Sequence, residues 1–388
     1  MKRYLKNENF MTKLKNISIN ISILFISITI SIILIEFFLR IFVFDPTKYY
    51  IKTPGWFSIV TDDNLITNVT SNYTHKINRF GFRGEPPNFN SKPMILTIGG
   101  STTENWVLDN KSTWSAILEK KLIKKFKNVD IINLGKAGTN GRHNLIQLDK
   151  TSDYLPKIDV YIVLIGLNDF LFDHRIHHSM SYKDEWWYKQ SFMTQPYQDG
   201  EFALPIILKR IIKKINQNNL PVSNFGFHLE SLRNAFRNVK KNQIVEKLEN
   251  LDKHLNMYEN TIMNLKKFAD SKNSSIIFLT QPFLWSKNMS EETKKNLHCG
   301  FIGDDMNSPD TKWYSTDTLR KGLDSYNKRL LNVCEKNQLF CIDLEKDIPK
   351  SIDFFYDDVH FTKKGAELIA LKVNEKIIKN KWFEDLQN

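Results

Sequence analysis

The stretch Met94-Ile-Leu-Thr-Ile98-Gly99-Gly100-Ser101-Thr102-Thr103 decides the fold. A short apolar, β-branched run reads as a strand. The two glycines let the chain turn sharply and leave a hydroxyl at the carboxyl edge of a sheet, where open α/β sheets bind their ligands. Working outward, similar runs occur at 129–134, 158–165, 275–280 and 339–344. Helix-like sequence alternates with them at about 113–127, 141–154, 242–271, 315–337 and 362–380. In the third of these, Ile244, Leu248, Leu251, Leu255, Tyr258, Ile262, Leu265 and Phe268 recur at spacings of three and four, which puts them on one helix face. Strands alternating with helices predict an α/β fold built on a parallel five-stranded sheet.

Chemistry-bearing residues follow several of these strands. Gly-Gly-Ser-Thr-Thr alone is also an ordinary strand-to-helix loop. Near the C-terminus, however, stands Asp357-Asp-Val-His360. A serine hydroxyl is a poor nucleophile until a neutral imidazole takes its proton, and that imidazole needs a carboxylate on its other nitrogen. A spacing of three allows both groups on one turn, whereas Asp358, two before His360, would point elsewhere. The run 158–165 leads into Gly166-Leu-Asn168-Asp169, and 129–134 into Gly135-Lys-Ala-Gly138-Thr-Asn140. Attack on an ester carbonyl puts negative charge on oxygen, and a glycine backbone N–H and an asparagine amide suit it.

Four blocks in this order resemble the SGNH (GDSL-type) hydrolase family: Gly99-Gly100-Ser101, Gly138, Gly166-x-Asn168-Asp169 and Asp357-x-x-His360. The resemblance covers about 93–375. It implies a flavodoxin-like three-layer fold, Ser101 as nucleophile, His360 as general base and then acid, and Asp357 as its orienter. It also implies an oxyanion hole made of the Ser101 and Gly138 N–H groups and the Asn168 amide; no cofactor and no metal are expected. Gly100 stands where the family name has Asp, a departure expected to loosen the loop.

Upstream, 17–35 carries no charge and is dominated by Ile and Leu. At 1.5 Å per residue it spans roughly 28 Å, about one hydrocarbon core. Lys2, Arg3, Lys6, Lys13 and Lys15 precede it against Glu8 alone, which predicts a cytoplasmic N-terminus and an exported remainder. No small-x-small cleavage site follows, so an uncleaved anchor is expected. The expected organisation is a tail at 1–15, a transmembrane anchor at 16–44, a stalk at 45–92 and a catalytic domain at 93–388. Within the stalk, Asn78-Arg-Phe-Gly-Phe-Arg-Gly-Glu85 reads as turns, and together with the anchor it resembles membrane-tethered bacterial members of the family. Residues 170–240, with Trp186-Trp187-Tyr188 and a basic amphipathic segment at 206–215, read as an insertion or lid.

The formal charge is +12, but its lysines are scattered, and no stretch has the aromatic-and-arginine pattern of a nucleic-acid reader. Asp173-His174-Arg-Ile-His177-His178 has imidazole spacing that suits a metal, yet lacks a convincing set of further ligands. Among three cysteines, Cys334 and Cys341 can meet across a short turn or remain buried thiols.

The expected activity is a membrane-anchored serine esterase acting on an acyl-ester substrate, with small O-acyl groups on cell-envelope polysaccharide favoured. An O-acyltransferase would use the same triad with a glycan acceptor, and a catalytically silent glycan-binding protein would keep only the fold.

Overall fold

Each of the five apolar runs becomes a strand in the computed structural model, which describes residues 2–43, 51–52, 55–60, 69, 72–176, 202–215, 225–303, 305–306 and 308–383. In chain order, described strands are β1 (Gly55–Val60), β2 (Asn72–Ile77), β3 (Met94–Gly99), β4 (Asp130–Asn133), β5 (Val160–Leu164), β6 (Ile244–Val245), β7 (Ser275–Leu279), β8 (Trp313–Tyr314) and β9 (Phe340–Ile342). The main sheet has the order β4-β3-β5-β7-β9, all parallel. Counting only these five, that is second-first-third-fourth-fifth, the flavodoxin-like order, with the switch point beside β3.

The sheet is covered on both faces. Helices Trp114–Leu122 and Lys363–Lys379 pack together, as do Gly141–Thr151 and Thr316–Lys336 against Leu251–Ser271. This double cover explains the continuous apolar runs: every residue of β3 and β5 is buried. Each such Ile, Leu or Val contributes about 1.5–3 kcal/mol by leaving water.

The expected helix over 242–271 is shorter than its periodicity suggests. It begins at Leu251, after Asn250 in the left-handed region at φ 55°. Ile244 instead lies in β6, which pairs with β8, and is 40% exposed. Leu248 also precedes the helix start.

Within the stretch read as a stalk, β1 and β2 pair antiparallel. Arg83 is buried, and its N–H donates to the Asn133 carbonyl at 3.1 Å. A disulfide joins Cys334, in Thr316–Lys336, to Cys341 in β9, while Cys299 is free and buried.

The chain divides into two compact units, one of 1–49 with 195–219 and the other of 50–194 with 220–388. The second holds the sheet. In the first, the helix Lys2–Phe38 and the residues after it include a segment, Lys13–Ile41, long and apolar enough to cross a membrane as an anchor or a signal sequence. The first unit also contains the helix Ala203–Ile215.

Candidate active site

β3 ends at Gly99, and the four-residue helix Ser101–Glu104 starts at once, so the serine stands at the carboxyl edge of the sheet. Opposite it, the chain between Phe355 and Phe361 doubles back: the Tyr356 N–H donates to the His360 carbonyl at 3.1 Å. Asp357 Oδ1 accepts the N–H groups of Val359 at 2.9 Å and His360 at 2.8 Å, folding the segment around its own carboxylate. Asp357 Oδ2 then lies 2.7 Å from His360 Nδ1, and His360 Nε2 lies 2.7 Å from Ser101 Oγ. The Tyr356 ring stacks on the imidazole at 11° with centroids 5.6 Å apart.

Burial opposes the charge on Asp357, but His360 beside it, then His298 and the Val359 N–H, outweigh that cost and hold the carboxyl well below the usual carboxylate range. Asp357 therefore stays an anion facing the imidazole. Asp358 points away: its carboxylate accepts Trp285 Nε1–H at 2.7 Å and the N–H groups of His298 and Cys299 at 2.8 and 3.2 Å.

The residues expected to supply the oxyanion donors border the same cavity as His360. Ser101, Gly138, Asn168 and His360 line one cavity of about 560 Å³, together with the apolar Trp106, Val107 and Leu171. Gly138 has φ +75°, a left-handed conformation that suits glycine. The Asn168 amide donates to the Thr139 carbonyl at 2.7 Å, which fixes its orientation beside Ser101. A Cβ at Gly100 would come within 2.3 Å of Asn168 Nδ2. Asn168 thus occupies the space that a side chain at position 100 would need. Asp169, the other polar member of that block, is a buried brace whose carboxylate accepts the Gly166 N–H at 3.0 Å and the Gly141 N–H at 3.1 Å. Burial and then the nearby Asp173 push its carboxyl up to about 7.

Several residues around the site are not legible as site residues in the sequence. Glu104, fully buried, accepts the Ala137 N–H through Oε2 at 2.7 Å and His75 Nε2–H through Oε1 at 2.9 Å, and pairs with Lys52. Burial, then Lys136 and Arg83, pull the Lys52 ammonium down to about 7, while burial keeps His75 neutral. Arg233, in the helix Phe225–Arg237, donates to the Tyr356 carbonyl at 2.7 Å behind the His360 segment. Glu104 carries one signal: a carboxylate three residues after a loop serine stays close to that loop. His75, Lys52 and Arg233 reach the site from distant segments and carry none.

Of the metal-like run, His177 and His178 lie outside the described residues, as do Trp186, Trp187 and Tyr188. Asp173 accepts the Tyr326 hydroxyl, and His174 packs against Phe170 and His254. Another group, His298, Cys299 and Asp358, has donor atoms within 4.8 Å of one another. Its chemistry suits an ion pair better than a metal. Asp358 is already engaged by three N–H donors, and burial, then Asp358, push the Cys299 thiol upward and away from the thiolate that binds metals. Burial disfavours the His298 imidazolium, but Asp358 and then Asp357 outweigh it and raise the pKa.

Residues 97–368 match the GDSL-like lipase/acylhydrolase family, and the chain belongs to it. It is a hydrolase-family protein on a three-layer α/β fold. No match is found among curated protein sequences. Solved structures similar to it include LAE5, an α/β hydrolase enzyme from the metagenome of Lake Arreo, with 15% identity over 74% of this chain and 95% of that one, at a TM-score of 0.39. Axe2, an acetylxylan esterase from Geobacillus stearothermophilus, has 14% identity over 74% and 95%, at a TM-score of 0.37. A member of the lipolytic G-D-S-L family from Veillonella parvula has 13% identity over 73% and 96%, at 0.38.

Proposed function

We propose that this chain is a membrane-anchored serine esterase that removes small O-acyl groups from extracytoplasmic carbohydrate or related esters. The observation that carries the chemistry is the unbroken relay from Asp357 through His360 to Ser101, each link 2.7 Å long. Ser101 Oγ attacks the ester carbonyl carbon while His360 Nε2 takes the hydroxyl proton. The Ser101 and Gly138 N–H groups and the free N–H of the Asn168 amide receive the oxyanion. As the carbonyl re-forms, the alkoxy group leaves with the proton from His360. Water, deprotonated by the same imidazole, then attacks the acyl-serine, and the carboxylic acid departs as His360 returns the proton to Ser101. Asp357 remains ionised throughout, stabilising the imidazolium.

The deciding experiment treats the full chain with a fluorophosphonate probe and assays it with an activated acetate ester, with and without candidate glycans. Wild type is expected to label and turn over, and Ser101→Ala to do neither. An unlabelled wild type would sink the proposal, and product acylation of a glycan would identify sugar rather than water as the acceptor.

Location rests on the apolar segment and the basic residues before it. A reporter that needs export for activity, fused after residue 388, is expected to be active. An inactive fusion would reverse the orientation.

A further inference from the structure

From Lys13 to Ile35 the N-terminal helix is exposed along its whole length, yet the next residue, Glu36, is 9% exposed. Its Oε1 accepts the Ala203 N–H at 2.7 Å and its Oε2 the Leu204 N–H at 2.9 Å, with Arg40 Nε donating to Oε1 at 2.7 Å. A helix start leaves its first N–H groups without partners inside the helix. Here the carboxylate takes two of them, and the next residue, Pro205, has no N–H at all. Leu39 and Ile207 pack around buried Ala203. The helix Ala203–Ile215 is therefore pinned by its first turn to the end of the apolar segment.

Its free face is apolar: Leu208, Ile211 and Ile212 are 47%, 47% and 56% exposed, at the i, i+3, i+4 spacing of one stripe. The same helix contains Lys209, Arg210, Lys213 and Lys214 and no acidic residue, and helical spacing sets those positions on the side opposite the stripe. An exposed apolar stripe backed by basic positions is the pattern of a helix lying in a membrane interface. Glu36 follows directly on the uncharged run that ends at residue 35, so the pinning point falls where hydrocarbon gives way to headgroups.

We infer that the helix Ala203–Ile215 is an interfacial helix, its Leu208-Ile211-Ile212 face buried in the lipid leaflet at the outer end of the anchor and its basic positions beside lipid phosphates. This rests on the anchor reading of the N-terminal segment. Because the first turn is held at Glu36, the leaflet that receives the outer end of the anchor is the one that receives the stripe. Residues 202–215 then form a second membrane attachment.

The test places the photo-crosslinker p-benzoylphenylalanine singly at Ile28, Ile212 or the exposed Lys321 in the full chain. The protein is reconstituted in nanodiscs of phosphatidylcholine and phosphatidylglycerol, irradiated, and read by intact-protein mass. Ester turnover by each variant confirms folding. Lipid adducts are expected at 28 and 212 and none at 321. An adduct at 28 but not at 212 would overturn the interfacial helix and leave the anchor standing. No adduct at 28 would remove the anchor and this inference with it. A protein–protein crosslink at 212 without a lipid adduct would assign the stripe to a second copy and overturn the lipid assignment.

Discussion

Glu104 Oε2 accepts the backbone N–H of Ala137 at 2.7 Å, tying the short helix that begins at Ser101 to the loop that carries Gly138. Ala137 immediately precedes Gly138, so the carboxylate sets where the Gly138 N–H points. His75 and Lys52 hold the other oxygen, bringing the N-terminal hairpin into the support of the site. Glu104→Ala is expected to lower kcat by about a hundredfold, the scale of an ångström-sized misplacement, with a much smaller change in KM. Glu104→Gln, which keeps one acceptor for Ala137, is expected to recover part of that loss. Steady-state kinetics on a small activated ester checks both. Equal losses in kcat and binding, without rescue by Gln, would point to general unfolding instead.

The same geometry explains Gly100 where the family name has Asp. With Asn168 Nδ2 only 2.3 Å from an ideal Cβ at position 100 and the Thr139 carbonyl 3.1 Å away, any side chain must push the amide aside. Gly100→Asp is therefore expected to reduce kcat by about 10²–10³, the cost of losing one oxyanion donor. Fluorophosphonate labelling is expected to slow in parallel. An active Gly100→Asp protein would mean that the loop relaxes freely and that Asn168 contributes little.

Adjacent aspartates have separate duties. Asp357 faces His360, whereas Asp358 holds Trp285, His298 and Cys299 in the interior. Asp357→Asn is expected to drop kcat by about 10⁴ while leaving the thermal midpoint little changed, because the wrong imidazole tautomer results. Asp358→Asn is expected to lose about 3–5 kcal/mol of stability, as breaking a buried charged network does, and to keep most activity per folded molecule at low temperature. Kinetics and urea unfolding on the two variants separate the roles. Reversed outcomes would exchange the two assignments.

The sheet was legible because its central strands β3 and β5 are buried throughout, so 94–98 and 158–165 appear as unbroken apolar runs. Ser101 was legible as a candidate because it follows directly on a strand, and Asp357 and His360 because their spacing of three can set a carboxylate beside an imidazole. The start of the helix Leu251–Ser271 was not legible: Ile244 and Leu248 keep the helical spacing across a break made by the backbone of Asn250. Apolar residues at helical spacing do not by themselves make the chain between them helical, and Ile244, 40% exposed, shows that they need not all face the core either. The Glu104–His75–Lys52 cluster was hidden for another reason. Its members lie 29 and 52 positions apart, so only Glu104, three residues after Ser101, carries a local signal, while His75 and Lys52 arrive from a distant stretch of chain. Cys334 and Cys341 were close enough to bond, but spacing alone also suited two buried thiols.

The loop carrying Gly138 leads directly into a capping box whose pH response can be worked out. Asn140 Oδ1 accepts the His143 N–H at 3.1 Å, and His143 Nδ1 accepts the Asn140 N–H at 3.0 Å. That second bond requires an unprotonated Nδ1. Burial, then Arg142 and Lys136, push the His143 imidazole down to about 2 from an ordinary 6.5. Between those values the unfolded chain binds a proton that the folded chain refuses. Its stabilisation is therefore fully present above pH 6.5 and is lost progressively as pH falls toward 2. The slope is about 1.4 kcal/mol per pH unit, or about 2 kcal/mol between pH 6.5 and pH 5. His75 and His174 are also held neutral by burial and steepen the curve in every variant, so the informative quantity is a difference. His143→Gln keeps an acceptor for Asn140 and removes the titration. Urea unfolding at pH 7 and pH 5 is expected to show wild type losing about 2 kcal/mol more than His143→Gln over that interval. Parallel losses in the two proteins would mean that His143 takes its proton in the folded state about as readily as in the unfolded chain, and that opening this side of the box costs little stability.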